Sequence, residues 1–138
     1  MIVVDTNVIA HLFLTGEHSE LSERLLQHDP DWVAPRLWCS EFRNVLTLYL
    51  RKNLLELQDS LEILEEAQRL MSDAEFEVPS APVMQLANES GCSAYDCEFV
   101  ALARFFRVPL ATNDGALLRA FPNTARTVES ILGRKRSG

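Results

Sequence analysis

The sequence has few cysteines and few glycines, and no apolar run long enough to cross a membrane. Its three cysteines are an odd number with no C-x-x-C pair, which argues against a disulfide framework or a structural zinc site. Its five glycines form no G-x-G-x-x-G pattern, which disfavours a dinucleotide-binding domain. No basic segment precedes the first apolar run, so we expect a cytoplasmic protein with no secretory signal and no membrane partner.

Basic side chains are also scarce, since 13 Lys and Arg face 20 Asp and Glu, a formal net charge of −7. Phosphate contacts favour a basic surface, so charge alone argues against a nucleic-acid binder. That argument weakens if some acids hold divalent cations, because two such ions would reduce the net charge from −7 to −3. The chain is 47% hydrophobic, and we expect one domain at 1–133 and a disordered basic tail at 134–138.

Short apolar stretches alternate with amphipathic ones along the whole chain. We predict strands at IVV, DWVAP, EFEVP, VPLAT and ARTV, with helices between them. Thr6 or Asn7 is expected to cap the first helix, and Pro35 to lie in the first turn of the helix after DWVAP. Alternating strands and helices predict an α/β fold with a central parallel sheet covered on both faces.

Four acids fall where such a sheet would bring them together. Asp5 directly follows the first strand, and Asp114 comes just after VPLAT, so both should emerge at the edge where open α/β sheets bind ligands. Glu41 lies in the first two turns of the helix after DWVAP, and Asp96 lies in the first turn of its own helix. Both helices can begin at that same edge, so the four carboxylates can converge.

Converging carboxylates repel one another unless a cation lies between them or some remain protonated. Mg²⁺ or Mn²⁺ fits an oxygen-only set of ligands, and such an ion can activate water and offset charge that builds on a phosphodiester. No Ser-His-Asp or Cys-His arrangement competes for the chemistry, and no histidine is placed as a general base.

Each acid also has a purely structural interpretation. Asp96 can cap its helix, Asp114 can be a turn or cap residue, and Glu41 can face solvent. Position 41 lies one helical turn from the apolar residues Leu37 and Val45, however, which predicts that Glu41 faces inward. The inference therefore depends on the joint placement of the four acids.

Several stretches resemble the PIN-domain family, and within it the VapC-type toxins of bacterial toxin–antitoxin pairs. They are VVDTNVIAHLF, CSEF and SAYDCEFVALARFFRVPLATNDGALLRAFP, which occur in the family's order and cover nearly the whole chain. The resemblance implies a three-layer α/β/α fold and Mg²⁺- or Mn²⁺-dependent cleavage of RNA. It also implies a homodimer and a neutralising antitoxin whose tail enters the site.

The resemblance extends to individual residues. It implies four metal-binding and catalytic acids: Asp5, Glu41, Asp96 and Asp114. Three neighbouring polar residues match the family and would orient these carboxylates: Thr6, Asn7 and Thr112. Arg36 and Arg43 flank Glu41 and can contact RNA phosphates, although exposed arginines often make only solvated ion pairs.

Two other functions remain open at this point. An Mg²⁺-dependent phosphoacceptor or phosphatase also places an Asp at a strand end, but it requires a second Asp two residues later or a nearby Lys. Position 7 is Asn7, and neither Lys52 nor Lys135 follows a strand at that edge. A non-catalytic interaction module could retain the fold without the activity.

The leucines near residue 50 are more numerous than one core-facing stripe requires. They are Leu48, Leu50, Leu54 and Leu55. Such an excess predicts a dimer interface or an antitoxin groove, with a more completely buried helix as the alternative.

Overall fold

The computed structural model describes residues 1–133, and the predicted tail at 134–138 lies outside the described residues. It contains five short strands: β1 (Ile2–Val4), β2 (Trp32–Pro35), β3 (Glu75–Phe76), β4 (Leu110–Ala111) and β5 (Ala125–Arg126). They form one sheet in the order β3-β2-β1-β4-β5. Every neighbouring pair is parallel, with Val3 opposite both Val33 and Leu110 at the centre.

Eight helices connect and follow these strands within residues 1–133. They are α1 (Thr6–Phe13), α2 (Ser19–His28), α3 (Leu37–Arg51), α4 (Leu57–Met71), α5 (Ser80–Ser90), α6 (Ala94–Phe106), α7 (Gly115–Ala120) and α8 (Val128–Ile131). Helix α6 packs on β1, β2 and β4, and α5 packs on α6. Helices α1 to α4 pack on one another, and α3 and α4 contact β2. This arrangement confirms the predicted three-layer α/β/α fold.

Two local predictions are wrong at the level of single residues. The cap of α1 is Asp5, whose side chain accepts the backbone N–H of Thr6, and not Thr6 or Asn7. Pro35 ends β2 and precedes α3, because its lack of an N–H is tolerated at the end of a strand as well as in a first helical turn. Helix α8 was not expected, since four residues carry too little periodicity to be recognised.

The core lies on both sides of β1, whose three residues are each almost fully buried. Trp38, Phe42 and Phe99 are the largest fully buried side chains. All three cysteines are free, with Cys39 and Cys97 buried and Cys92 half-buried, as expected for small apolar side chains. No helix among residues 1–133 is both long and apolar enough to span a bilayer.

Candidate active site

The four acids line one cleft of about 420 Å³ at the carboxyl edge of the sheet. Asp5 follows β1, Glu41 lies on α3, Asp96 on α6, and Asp114 precedes α7. Because β1 and β4 are parallel neighbours, the residues that follow them leave the sheet side by side. Four distant parts of the sequence therefore contribute carboxylates to a single cavity.

Asp5 is the most buried of these acids, with only 7% of its surface exposed. Its Oδ1 accepts the backbone N–H of Thr6 at 2.8 Å, and its Oδ2 accepts the hydroxyl of Thr112 at 2.6 Å. Burial raises the pKa of Asp5 to about 6. The two hydrogen bonds lower this pKa, whereas the negative charges of Glu41 and Asp96 raise it. A buried strand can end in this acid because both carboxylate oxygens are hydrogen-bonded.

Thr6 connects Asp5 to Glu41. While its backbone N–H donates to Asp5, its buried hydroxyl donates to Oε1 of Glu41 at 2.6 Å. Burial raises the pKa of Glu41, as does the negative charge of Asp96, whereas the Thr6 hydroxyl lowers it. Glu41 is half-buried and faces the cleft, so its predicted inward orientation is confirmed.

Thr112 makes a second connection, between Asp5 and Asp114. Its fully buried hydroxyl donates to Asp5 and accepts the backbone N–H of Asp114 at 3.0 Å. Asp114 in turn caps α7, because its Oδ1 accepts the backbone N–H groups of Ala116 at 2.8 Å and Leu117 at 3.3 Å. Asp114 is thus a helix cap, as its structural interpretation required, and also part of the cleft wall.

Asp96 does not cap its helix, so that structural interpretation is wrong. The cap of α6 is Ser93, whose hydroxyl oxygen accepts the backbone N–H of Asp96 at 3.0 Å. Burial raises the pKa of Asp96, and the nearby charge of Asp114 raises it further. The carboxylate of Asp96 lies on the cleft wall next to another acid, in the first turn of α6, where a hydrogen bond with the Ser93 side chain lowers its pKa.

Of the three other residues predicted to act at the site, one lines the cleft and two do not. Asn7 lines the cleft and is exposed. Arg36 and Arg43 are exposed but are not among the cleft-lining residues, and Nη2 of Arg43 donates to Sγ of Cys39 at 3.6 Å. None of the three histidines lines the cleft, as expected.

Several residues near the cleft were missed from the sequence. Ser40, Asn44 and Tyr95 line it. Asn44 lies three residues after Glu41, so helical spacing could have placed both on one face. Glu98 is a fifth acid in the neighbourhood of Glu41: burial raises the pKa of Glu98, and the negative charge of Glu41 raises it further.

The side chains of the cleft suit a hard divalent cation by their chemistry. The polar lining groups offer oxygens and amides, and the lining contains no Lys, Arg or His to neutralise the four acids. In the described part of the chain, however, no three Asp, Glu, His or Cys side chains are close enough together to ligate one ion as they stand. Like charges keep carboxylates apart, so these acids would have to move closer together around an ion.

These features define an α/β protein with an acidic cleft at the carboxyl edge of a parallel sheet. The PIN domain profile matches residues 2–121. Ribonuclease VapC3 of Pyrobaculum aerophilum is 32% identical over 127 residues, which cover 88% of this chain and 95% of that protein. The chain therefore belongs to the PIN domain family.

Solved structures share the fold at lower sequence identity. PAE2754 from Pyrobaculum aerophilum matches with a TM-score of 0.76 at 20% identity, over 95% of this chain and 85% of that one. A toxin–antitoxin complex from Klebsiella pneumoniae matches with a TM-score of 0.67 at 15% identity, over 93% of this chain and 98% of that one. At such identities the likeness supports the fold alone.

Proposed function

We propose that this chain is a divalent-metal-dependent ribonuclease and the toxin of a toxin–antitoxin pair. The observation that carries the proposal is the cleft itself, which is lined by acids from four separate segments and has no basic side chain on its wall. The relative named as a ribonuclease spans nearly the same length, which supports RNA as the substrate. A bound Mg²⁺ or Mn²⁺ would lower the pKa of a water molecule and offset charge on the phosphodiester.

The four acids have different roles as metal ligands in this proposal, according to their surroundings. Asp5 and Asp114, fixed where strands end, are the principal metal ligands in this proposal, and Glu41 and Asp96 complete the set. Thr6 and Thr112 hold the carboxylates of Asp5 and Glu41 in position through their hydroxyls. Asn7 faces the cleft as a further orienting residue, and Arg36 and Arg43 remain candidates for phosphate contacts on the flank.

The chemistry of the products tests this proposal. Purified chain should cleave RNA in Mn²⁺ or Mg²⁺, and EDTA should stop the reaction. Because water is the nucleophile, the new ends should carry a phosphate monoester and no 2′,3′-cyclic phosphate. Cyclic ends, or cleavage that continues in EDTA, would contradict the mechanism. Sequencing of the new RNA ends would also identify the preferred target.

Thr112→Val should reduce kcat by about 10- to 100-fold, as is typical when a group that orients a metal ligand is lost. The substitution removes the hydroxyl that donates to Asp5 and accepts the Asp114 backbone N–H. Thr112→Ser keeps that hydroxyl and should retain most of the activity. Steady-state kinetics would check this, and equal losses in the Val and Ser variants would contradict the positioning role.

Two rival functions are less well supported. A phosphoacceptor domain requires a second Asp two residues after the first or a Lys near the phosphate, whereas position 7 is Asn and no Lys lines the cleft. Acetyl phosphate should therefore leave Asp5 unlabelled. A non-catalytic module would bind neither Mg²⁺ nor Mn²⁺ in isothermal titration.

The proposal includes a homodimer and an antitoxin, and a cytoplasmic location consistent with three free thiols. Four exposed leucines lie near the end of α3 and the start of α4: Leu48, Leu54, Leu57 and Leu61. Two of the leucines named from the sequence, Leu50 and Leu55, are instead half-buried. The four exposed leucines offer apolar surface that a second copy can cover.

We expect light scattering to give the mass of two chains for the wild type and of one chain for Leu57→Lys/Leu61→Lys. These side chains are 62% and 50% exposed, so the monomer should fold normally. Met84→Lys, at a side chain that is 65% exposed on α5, is the matched control and should remain dimeric. A monomeric wild type at high concentration would contradict the dimer.

A further inference from the structure

Three arginines surround a second cavity, outside the acidic cleft. The cavity measures about 450 Å³ and is lined by Arg104, Arg107 and Arg126 together with the polar residues Asn123 and Thr124. No Asp or Glu is among its lining residues. In a chain with 20 acids and 13 bases, three cations around one acid-free cavity are unusual. We call this cavity the arginine pocket.

The guanidinium groups of the arginine pocket are held by neutral partners. Nε of Arg104 donates to the hydroxyl of Thr124 at 3.4 Å, and its Cζ lies 5.4 Å from the ring centroid of Phe121. Nη2 of Arg126 donates to the hydroxyl of Ser130 at 3.1 Å. None of the ion pairs found between residues 1–133 involves an arginine of this pocket. Within the described part of the chain, no carboxylate therefore neutralises these three charges.

Helix α6 connects the arginine pocket to the acidic cleft. Asp96 lies in its first turn, and Arg104 lies in its last turn eight residues later. At about 1.5 Å per residue, these two positions are roughly 12 Å apart along the helix axis. The pocket lies at the amino ends of β4 and β5, at the opposite edge of the sheet from the cleft, so RNA bound at both would have to run along the outside of the protein over several nucleotides.

We propose that the arginine pocket binds backbone phosphates of the RNA substrate, several nucleotides from the bond that is cut. This rests on the proposed ribonuclease function. Four acids in the cleft repel a polyanion, so a chain of net charge −7 needs a local cation cluster to hold RNA. Arginine forks match phosphate oxygens in two-point hydrogen bonds. The pocket then makes long RNA a better substrate than short oligonucleotides.

The test compares two RNAs with the same cleavage site, a long one and the shortest oligonucleotide that the wild type cleaves. Arg107→Gln/Arg126→Gln should raise KM for the long RNA about tenfold and leave kcat unchanged. KM for the short oligonucleotide should stay within about twofold of the wild-type value. Arg107→Lys keeps the charge but loses the two-point hydrogen bond, so its KM for the long RNA should lie between those of the wild type and the double variant. Arg24→Gln/Arg69→Gln removes the same two charges from exposed positions on α2 and α4 and is the matched control.

Fluorescence anisotropy with labelled RNA in EDTA provides a readout that needs no cleavage. The double variant should bind the long RNA about tenfold more weakly, and its slope of log Kd against log salt should fall by about 1.4, at roughly 0.7 per phosphate contact. Equal effects on both RNAs, or none, would overturn the proposal. Poly-L-glutamate that binds as tightly and shows the same loss would assign the pocket to an acidic polypeptide instead. A wild type that binds but never cleaves RNA would refute only the ribonuclease function.

Discussion

Asp5→Asn should reduce RNA cleavage by about 10³-fold or more while leaving the fold intact. The substitution removes a charge that a bound cation requires, and several kcal/mol of lost charge stabilisation corresponds to such a factor at about 1.36 kcal/mol per tenfold. Asn has nearly the same shape and keeps one acceptor oxygen, so the packing and one of the two hydrogen bonds, from Thr6 or from Thr112, can be retained. Measured kcat/KM with Mn²⁺ and long RNA would give the result.

The same variant should be at least as stable as the wild type at pH 7.5 in EDTA. Burial and neighbouring acids disfavour the ionised form of Asp5, and a neutral amide at this position removes that cost. Asp73→Asn, at an exposed acid after α4, is the control and should keep full activity. Full metal-dependent activity in Asp5→Asn would refute the assignment of Asp5, and a large loss of stability would show that the lost activity reflects misfolding.

The fold was largely predictable because buried parallel strands and amphipathic helices leave strong patterns. The run Ile2–Val4 is apolar without alternation, and the structure buries all three residues on both faces of the sheet. The joint position of the acids was also accessible, since parallel strands deliver the residues that follow them to one edge. Hydrophobic periodicity and sheet topology were therefore sufficient to predict the fold and the joint position of the four acids.

The hydrogen bonds within the cleft could not be predicted from the sequence. Thr112 was matched as a polar neighbour, but only the structure shows that its one hydroxyl contacts both Asp5 and Asp114. The fifth acid, Glu98, lies only two residues after Asp96, and its effect depends on its distance from Glu41, which no local pattern encodes. The arginine pocket was not predicted for the same reason, because its residues come from two separate segments, one around the end of α6 and the other around the start of β5.

Divalent metal should stabilise the protein strongly at pH 7.5 and only weakly at pH 5. In EDTA the folded-state pKa of Asp5, about 6, lies above its ordinary value of 3.8. The folded state therefore binds more protons than the unfolded state between these values, and the free energy of unfolding falls as pH rises from about 4 to 6. The raised pKa values of Glu41 and Asp96 act in the same direction. As pH rises through this range, Asp5 alone lowers the free energy of unfolding by about 3 kcal/mol, which corresponds to a fall of roughly 10 °C in Tm.

A bound cation needs the ionised carboxylates, so protons and metal compete for the same oxygens. At an ion concentration of 100 times Kd, the stabilisation is about 2.7 kcal/mol. Thermal melts of the wild type and of Asp5→Asn, each in EDTA and in Mn²⁺, would isolate the contribution of this one acid across pH. We expect the Mn²⁺-induced rise in Tm to grow with pH in the wild type and to be nearly absent in Asp5→Asn. An equal rise at pH 5 and pH 7.5 would place the ion away from Asp5, and the four-acid site would then be wrong.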